Sequence, residues 1–567
     1  MFFSDISILC QTLEIENSRI LKKKILHNFF RSRTALDCRL AIDFLSLSIE
    51  NNHAIFQINE ITLIKNIAEY FNIDLETIKN DIKTTGDVGL FFNNFKKNND
   101  KNNKQITLKM INKLLLDLQN SKGKESQTEK KIKLFNIFDI LNPIDNCYLI
   151  RFLTGSLRIG LSEKTIIEVL HEILLENGHH IEKSILFTAY AVTSNIGYIT
   201  ELVLNNKITD LELITPQPGF FVQPQAADIY IKEKNLLNNI EKNYITQPKL
   251  DGFRLQLHIN GNVITLFSRN GIIVNHMFPE IIESSTEYAI TNDIKSIILD
   301  GEIIGFDLEK NIYLSFEKIA QRKRKHNIKD NNTLCKTRFV IFDILFYNKK
   351  NYIHDKYKER FSIIEKLKRN KQIITIESNY INNQDDIEDA YQKAIKDKQE
   401  GIIIKNLNSI YEPGKRTRNW LKYKEIQKNS LEDLIDVVIL GYTIAKGNRK
   451  NRQKIGSLLV GIYNEKNDTF NTIAQVGTGG DVSLWNELEK MMDNLISKQP
   501  PVNVIISKKH TPDYYVIPHI IISLKADKIT ESKDHSSQYS LRFPRIIKIR
   551  TDKNKYQTHC PLLQNNE

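Results

Sequence analysis

Residues 247–262 read QPKLDGFRLQLHINGN, and the reading of the chain turns on why a lysine, an acid, a glycine and an arginine crowd into the head of this stretch. From Phe253 onward apolar and polar residues alternate. Phe253, Leu255, Leu257 and Ile259 fall on one face of a strand, and Arg254, Gln256 and His258 fall on the other. Asn260-Gly261 suits a tight turn and VITLFS (263–268) runs back, so the stretch predicts a β-hairpin. Its polar face should look onto solvent or a cleft, with Arg254 emerging beside Lys249. A lysine and an arginine so placed suit a phosphorylated ligand, one as a point charge and the other as a two-pronged donor.

Further short apolar strands are expected downstream at SIILDGEIIGF (296–306), RFVIFDILFY (338–347) and EGIIIKN (400–406), with a helix at YKERFSIIEKLKR (357–369). Three of these segments carry a carboxylate in apolar surroundings: Glu302, Asp343 and Glu400. A buried lone carboxylate is costly, so each must find a cation, a metal or several donors, and a structural ion pair would serve any one of them. Three in one region, followed by Lys405, Arg416, Lys422 and Lys424, point to a site for phosphates and a divalent ion.

Residues 1–215 read as helical. SRILKKKILHNFF (18–30), TEKKIKLFNIFDILNP (128–143) and EKTIIEVLHEILLENG (163–178) repeat apolar residues at three- and four-residue spacing, with Pro143 and Gly178 as stops. The polar inserts 93–104 and 120–131 are expected as exposed connections. Residues 216–432 read as mixed α+β, and 433–567 as a small β-barrel interrupted by one helix near 482–496.

A chain of 567 residues exceeds one hydrophobic core, in keeping with three domains. Apolar content of 41% and charged content of 26% describe an ordinary globular protein. Neither a membrane span nor a secretory signal is expected: no long apolar run occurs, and MFFSDISILC lacks a basic lead. Five scattered cysteines argue for a reducing, intracellular and cytoplasmic setting (nuclear in a eukaryote) and against a zinc site. His179 and His180 are expected to serve surface or packing roles. The formal charge of +12 suits a polyanion such as nucleic acid, although the joint abundance of Lys, Asn and Ile would also follow from an A·T-rich coding sequence.

KLDGFR (249–254) matches the K-x-D-G-x-R signature of covalent nucleotidyltransferases, the superfamily of DNA ligases, RNA ligases and capping enzymes. FSRNG (267–271), DGEII (300–304), FVIFD (339–343), EGIIIKN (400–406) and NWLKYK (419–424) follow in that superfamily's order. SLRFPRIIKIRTDK (540–553) resembles the closing motif of ATP-dependent DNA ligases. RFLTGSLRIGLSEKTIIEVL (151–170) is similar to the helical DNA-binding domain of archaeal, eukaryotic and viral members, and SFEKIAQRKRK (315–325) and YEPGKRTRNWLKYK (411–424) have counterparts there. The resemblance implies a multidomain chain: an all-α DNA-binding domain (1–215), an α+β nucleotidyltransferase or adenylation domain (216–432) and a C-terminal OB-fold β-barrel (433–567).

It also implies roles. Lys249 would attack the α-phosphate of ATP, and cations beside it such as Arg254, Lys422 and Lys424 would favour the neutral, attacking amine. Arg254 and Arg269 would contact sugar and phosphates, Glu302 would bind ribose or position metal, and Phe342 would stack on adenine. Glu400 would help hold Mg²⁺. Arg416 and Lys422 would contact the α-phosphate with Lys424 assisting, and Asp251 would act near the 3′ end of a nick. Arg542, Arg550 and Lys553 would orient pyrophosphate. Arg158, flanked by Gly155 and Gly160, is a candidate DNA-phosphate contact and equally an ordinary surface residue. Relatives usually carry glutamate two residues before the nucleophile, where it accepts from the adenine amino group; Gln247 can accept there but can also donate.

The expected partner is nicked double-stranded DNA, bound by a monomer, with no clear sliding-clamp motif. An NAD-dependent ligase would need an added N-terminal domain and usually a four-cysteine module, neither of which is read here. An RNA ligase or capping enzyme should lack the helical domain and this closing motif.

Overall fold

The computed structural model describes residues 1–49, 60–85, 87–99, 105–120, 126–230, 243–307, 312–314, 319, 336–397, 399–424, 434–445, 454–465, 467–497, 499–501 and 503–558. They fall into two compact units, Met1–Lys424 and Glu425–Glu567. Apart from Ile319, the segment SFEKIAQRKRK lies outside the described residues.

The first unit opens with helices, from Phe3–Ile15 to Ile208–Glu212. Helices form at all three periodic stretches, as Arg19–Arg31, Ser126–Ile140 and Glu163–Glu176. Ser18 and Ser162 cap the first and third through their hydroxyls. The third ends as expected: Gly178 adopts φ +84°, and the amides of Gly178 and His179 return to the carbonyls of Leu175 and Leu174. Pro143 does more than stop a helix, because it is the first residue of the next one, Pro143–Leu153, where its missing N–H costs nothing.

The polar inserts correct the expectation in part. Residues 93–99 complete the helix Val88–Asn99, because Phe92 and Phe95 pack edge-on against Phe71. Residues 126–131 likewise begin a helix, while 100–104 and 121–125 lie outside the described residues. A buried Arg151 ties three helical segments together through Glu14 (2.6 Å) and Asp87 (2.7 Å).

Twelve strands follow in the described part of this unit: β1 (Ala226–Ile229), β2 (Tyr244–Pro248), β3 (Phe253–Asn260), β4 (Val263–Ser268), β5 (Ser296–Asp307), β6 (Ile312–Leu314), β7 (Lys336–Tyr347), β8 (Lys350–Asn351), β9 (Ile373–Thr375), β10 (Asn379–Ile381), β11 (Gly401–Asn406) and β12 (Arg416–Lys424). One sheet runs β1-β12-β11-β2-β10. The other runs β4-β3-β5-β7-β8, with β6 on β5 and β9 on β7.

The predicted hairpin is β3–β4, in register from Leu255↔Ser268 to Asn260↔Val263. Its loop is Gly261-Asn262, one residue later than read, with Gly261 at φ +56°. Leu255, Leu257 and Ile259 are fully buried among Leu299, Ile303 and Ile341. The opposite face is not open throughout. Gln256 and His258 are buried as well, because the segment near 219–222 covers them: Gln256 bonds both backbone groups of Val222, and His258 accepts from the Gly219 amide. Burial pushes the His258 imidazole down to about 3, so it is a neutral acceptor there.

In the second unit, Ile435–Ile444, Ile455–Asn464 and Thr469–Val476 form an antiparallel meander. Ile435–Ile444 also pairs with Ile521–Lys525, which pairs with Arg545–Ile549. A bridge from Gly479 to Ile546 joins the far ends of this curled sheet. The expected helix forms at Val482–Met492, and Trp485 and Leu488 plug the core.

Candidate active site

A cavity of about 530 Å³ is bounded by both sheets of the first unit. Its floor is the loop Lys249–Gly252 between β2 and β3. The loop is pinned to β11: the Lys249 amide donates to the Gly401 carbonyl at 2.8 Å, and the Glu400 amide donates back to the Lys249 carbonyl at 3.1 Å. Two glycines permit this approach. A Cβ on Gly252 would stand 2.3 Å from the Ile303 carbonyl oxygen and 2.7 Å from Glu302 Cγ, and one on Gly401, at φ +138°, would stand 2.2 Å from the Tyr423 carbonyl oxygen. Lys249 Nζ, so placed, forms an ion pair with the Glu400 carboxylate.

Arg254 is fixed on several sides. It donates twice to Asp300 (3.1 and 2.7 Å) and once to the Gln225 carbonyl (2.7 Å), and lies over the rings of Phe342 and Trp420. Asp300, fully buried, also accepts from the Tyr411 hydroxyl at 2.8 Å. Glu302 pairs in register with Arg254 across β3 and β5. Burial pushes its carboxyl up to about 8, against the opposing pull of Arg254 and Lys249.

Phe342 meets Trp420 edge-on. Beneath them the buried Lys405 amine donates to the Phe342 carbonyl at 3.0 Å and lies 4.1 Å from the Trp420 ring centroid; burial pulls it down to about 7. On β12, Arg416 donates to the Ala227 carbonyl at 2.7 Å. The Lys422 amine is lowered by burial first and then by Arg416, Lys424 and Lys249. The cavity thus brings together Gln247, Lys249, Arg254, Arg269, Glu302, Phe342, Glu400, Arg416, Lys422 and Lys424. Asp251 sits in the same loop but is not among the residues lining it.

The three carboxylates read from apolar strands part company here. Glu302 and Glu400 line the cavity, whereas Asp343 is spent on a fully buried pair with Arg360, at 2.8 and 3.0 Å. Arg158 stands elsewhere, in a loop with Gly155 and Gly160. All three residues have positive φ, Arg158 reaches Asp87 at 3.4 Å, and Lys22 donates to the carbonyls of Ile159 and Gly160.

Arg542, Arg550 and Lys553 belong to the second unit. Arg550 and Lys553 converge on Asp436, at 3.0 and 2.6 Å. Burial works to raise the Asp436 carboxyl, but Lys553, Ser523 and Arg550 outweigh it and hold the group lowered. Arg542 is exposed beside the Phe543 ring.

Several residues that shape these sites escaped the sequence reading. Asp300 and Asp436 carry the signal used for Glu302, a carboxylate among apolar neighbours, and could have been found by it. Tyr357, Arg360 and Tyr411 carried none, since their partners are distant in the chain.

Three families match successive parts of the chain: DNA ligase N terminus over residues 2–171, ATP dependent DNA ligase domain over 224–424, and ATP dependent DNA ligase C terminal region over 451–553. A probable DNA ligase of Dictyoglomus thermophilum is 28% identical over 98% of this chain and 95% of its own. DNA ligase 1 of Methanosarcina barkeri is 29% identical over 87% of this chain and 91% of its own. The solved structure designated Pmar-Lig_PreS3 shares the fold at 18% identity and TM-score 0.53, covering 96% of this chain and 99% of that one. With a helical N-terminal domain, a central adenylation domain and a C-terminal OB-fold in this order, the chain belongs to the ATP-dependent DNA ligases.

Proposed function

We propose that this DNA ligase seals nicks in duplex DNA through an AMP carried on Lys249, with domains at 1–215, 216–432 and 433–567. The observation that carries the reading is the ion pair of Lys249 with Glu400 inside a cavity also lined by Arg254, Glu302, Phe342 and the basic edge of β12. Lys249 attacks as the neutral amine, and Glu400, in contact with Nζ, is placed to take its proton. A nitrogen–phosphorus bond forms to the α-phosphate of ATP, and the bond to pyrophosphate breaks.

Phe342 then stacks on adenine and Gln247 meets its edge, while Arg254 and Arg269 bind sugar and phosphates. Arg416 and Lys422, assisted by Lys424, stabilise charge on the α-phosphate. Arg542, Arg550 and Lys553 orient the pyrophosphate, with Asp436 as the positioning residue of Arg550 and Lys553. AMP passes next to the DNA 5′-phosphate. The 3′-hydroxyl, near Asp251, attacks that phosphate, loses its proton and expels AMP. Arg158 contributes a phosphate contact to a sequence-indifferent grip on the duplex.

Glu302 and Glu400 would hold Mg²⁺. Among the described residues no three His, Cys, Asp or Glu side chains gather at one point, and one or two carboxylates shared with substrate phosphates is a ligand set that suits this ion. When bound, Mg²⁺ would neutralise phosphate charge. Among the described residues no helix is long and apolar enough to cross a membrane. The enzyme acts as a monomer.

The test is sealing of a labelled nicked duplex. ATP with Mg²⁺ supports it, NAD⁺ does not, Lys249→Ala abolishes it, and nicked RNA is a poorer substrate. Sealing with NAD⁺ alone, or by Lys249→Ala, would overturn the reading.

A further inference from the structure

Gln247 is 1% exposed, lines the cavity and is half satisfied. Its Nε2 donates to Tyr357 Oη and Ser378 Oγ, both at 2.9 Å. Its Oε1, also buried, has no hydrogen-bond partner among the described residues. A buried acceptor without a donor is a cost that a bound ligand can remove.

Tyr357 decides which end of the amide is left over. Its hydroxyl donates to the Phe342 carbonyl at 2.9 Å, and its oxygen also receives Lys405 Nζ at 3.3 Å. A phenol has one proton. With that O–H directed at the Phe342 carbonyl, Oη can only accept from Gln247, which requires the nitrogen end of the amide. Burial pushes the phenol well above its ordinary value, so the proton stays in place. A glutamate at this position would present an acceptor in either rotation, whereas a glutamine needs its rotation fixed.

We propose that Tyr357 is the positioning residue for base choice: by holding the Gln247 amide with its N–H groups turned to Tyr357 and Ser378, it leaves Oε1 as an acceptor for the exocyclic amine of a 6-aminopurine and withholds a donor from a 6-oxopurine. The proposal rests on the lysyl-AMP reading of the same cavity. The lock and the nucleotide wall share a residue, since the Phe342 carbonyl accepts the Tyr357 hydrogen bond and Phe342 contributes to the lining. Gln247 also borders a second cavity of about 150 Å³ with Gln399.

The experiment measures the initial rate of nucleotide transfer to full-length protein from α-labelled ATP and GTP. It compares the wild type, Tyr357→Phe and Tyr357→Phe/Gln247→Glu. Tyr357→Phe keeps the ring that stacks on Phe361 but lets the amide turn, so the ATP:GTP rate ratio falls at least about tenfold. Gln247→Glu in the same background restores the ratio, because a carboxylate accepts in any rotation. An unchanged ratio in Tyr357→Phe, or a fallen ratio that Gln247→Glu does not restore, overturns the assignment. Should Tyr357→Phe fail to fold, the wild type decides with purine riboside triphosphate, which lacks the 6-amine. A loss of at least about tenfold in kcat/KM against ATP supports Oε1 as the acceptor, and equal use overturns it. Absence of any label on the wild type would overturn the lysyl-AMP reading as well, whereas label with an unchanged ratio overturns only the role of Tyr357.

Discussion

Gly252→Ala tests whether the nucleophile's loop is placed by backbone contact with β5. The added methyl would lie 2.3 Å from the Ile303 carbonyl oxygen and 2.7 Å from Glu302 Cγ, where ordinary contact begins at 3.4 Å. The Ile303 oxygen is backbone of β5, at the end of the β3–β5 ladder but within the β5–β7 ladder, and cannot swing aside, so the shortfall of about 1.1 Å must be met by moving the loop that carries Lys249. Overpacking of this kind costs about 1–3 kcal/mol of stability. A displacement of about 1 Å at a reacting group costs about a hundredfold in rate. Single-turnover transfer of label from α-labelled ATP to the protein measures the rate, and thermal denaturation confirms that the variant remains folded. Adenylation should slow about a hundredfold in a folded protein, while sealing of a pre-adenylated nick, which bypasses Lys249, should suffer less. A folded variant that adenylates within about threefold of wild type would refute the reasoning, since it would mean that the loop absorbs the methyl without moving the lysine.

Asp343→Asn leaves the Arg360 guanidinium buried without its countercharge and should cost about 3–5 kcal/mol in denaturant unfolding; a loss under about 1 kcal/mol would show the pair to be dispensable. Burial raises the folded Glu302 carboxyl to about 8 from its ordinary value of 4.5. The folded state therefore holds an extra proton between these limits, and stability from this group falls as pH rises, by up to about 1.4 kcal/mol per unit. Denaturation midpoints between pH 5 and 7 should accordingly fall less steeply in Glu302→Gln than in wild type, and parallel curves would contradict this. Asp436→Asn removes the countercharge shared by Arg550 and Lys553 and should slow lysine adenylation by about tenfold or more while sparing the sealing of pre-adenylated nicks. Equal loss in both steps would assign Asp436 to stability alone.

The legible part of this molecule was what the chain writes locally. The β3–β4 hairpin followed from alternation and a Gly-containing turn, and its apolar face entered the core as read. The cavity residues from Gln247 to Lys424 were named from short motifs, each carrying its own chemistry, and they line one space. What failed depended on partners far along the chain. Gln256 and His258 looked outward-facing because alternation does not reveal that residues near 219–222 fold over them. Glu302 and Asp343 looked alike in sequence, and only Arg360, arriving from a helix, makes one structural and leaves the other in the cavity. Tyr357 could not be found at all by periodicity, since as the first residue of the helix Tyr357–Lys366 it reads as an ordinary buried aromatic, yet its hydroxyl sets the rotation of Gln247 across 110 residues of chain.

The measurement that bears most directly on the central claim is the location of the covalent nucleotide. Protein incubated with α-labelled ATP and Mg²⁺, then digested and mapped by mass spectrometry, should carry AMP on the amine of Lys249 and should release that label to the 5′-phosphate of a nicked duplex. Label on any other residue, label that survives in Lys249→Ala, or label that nicked DNA cannot discharge would contradict the account.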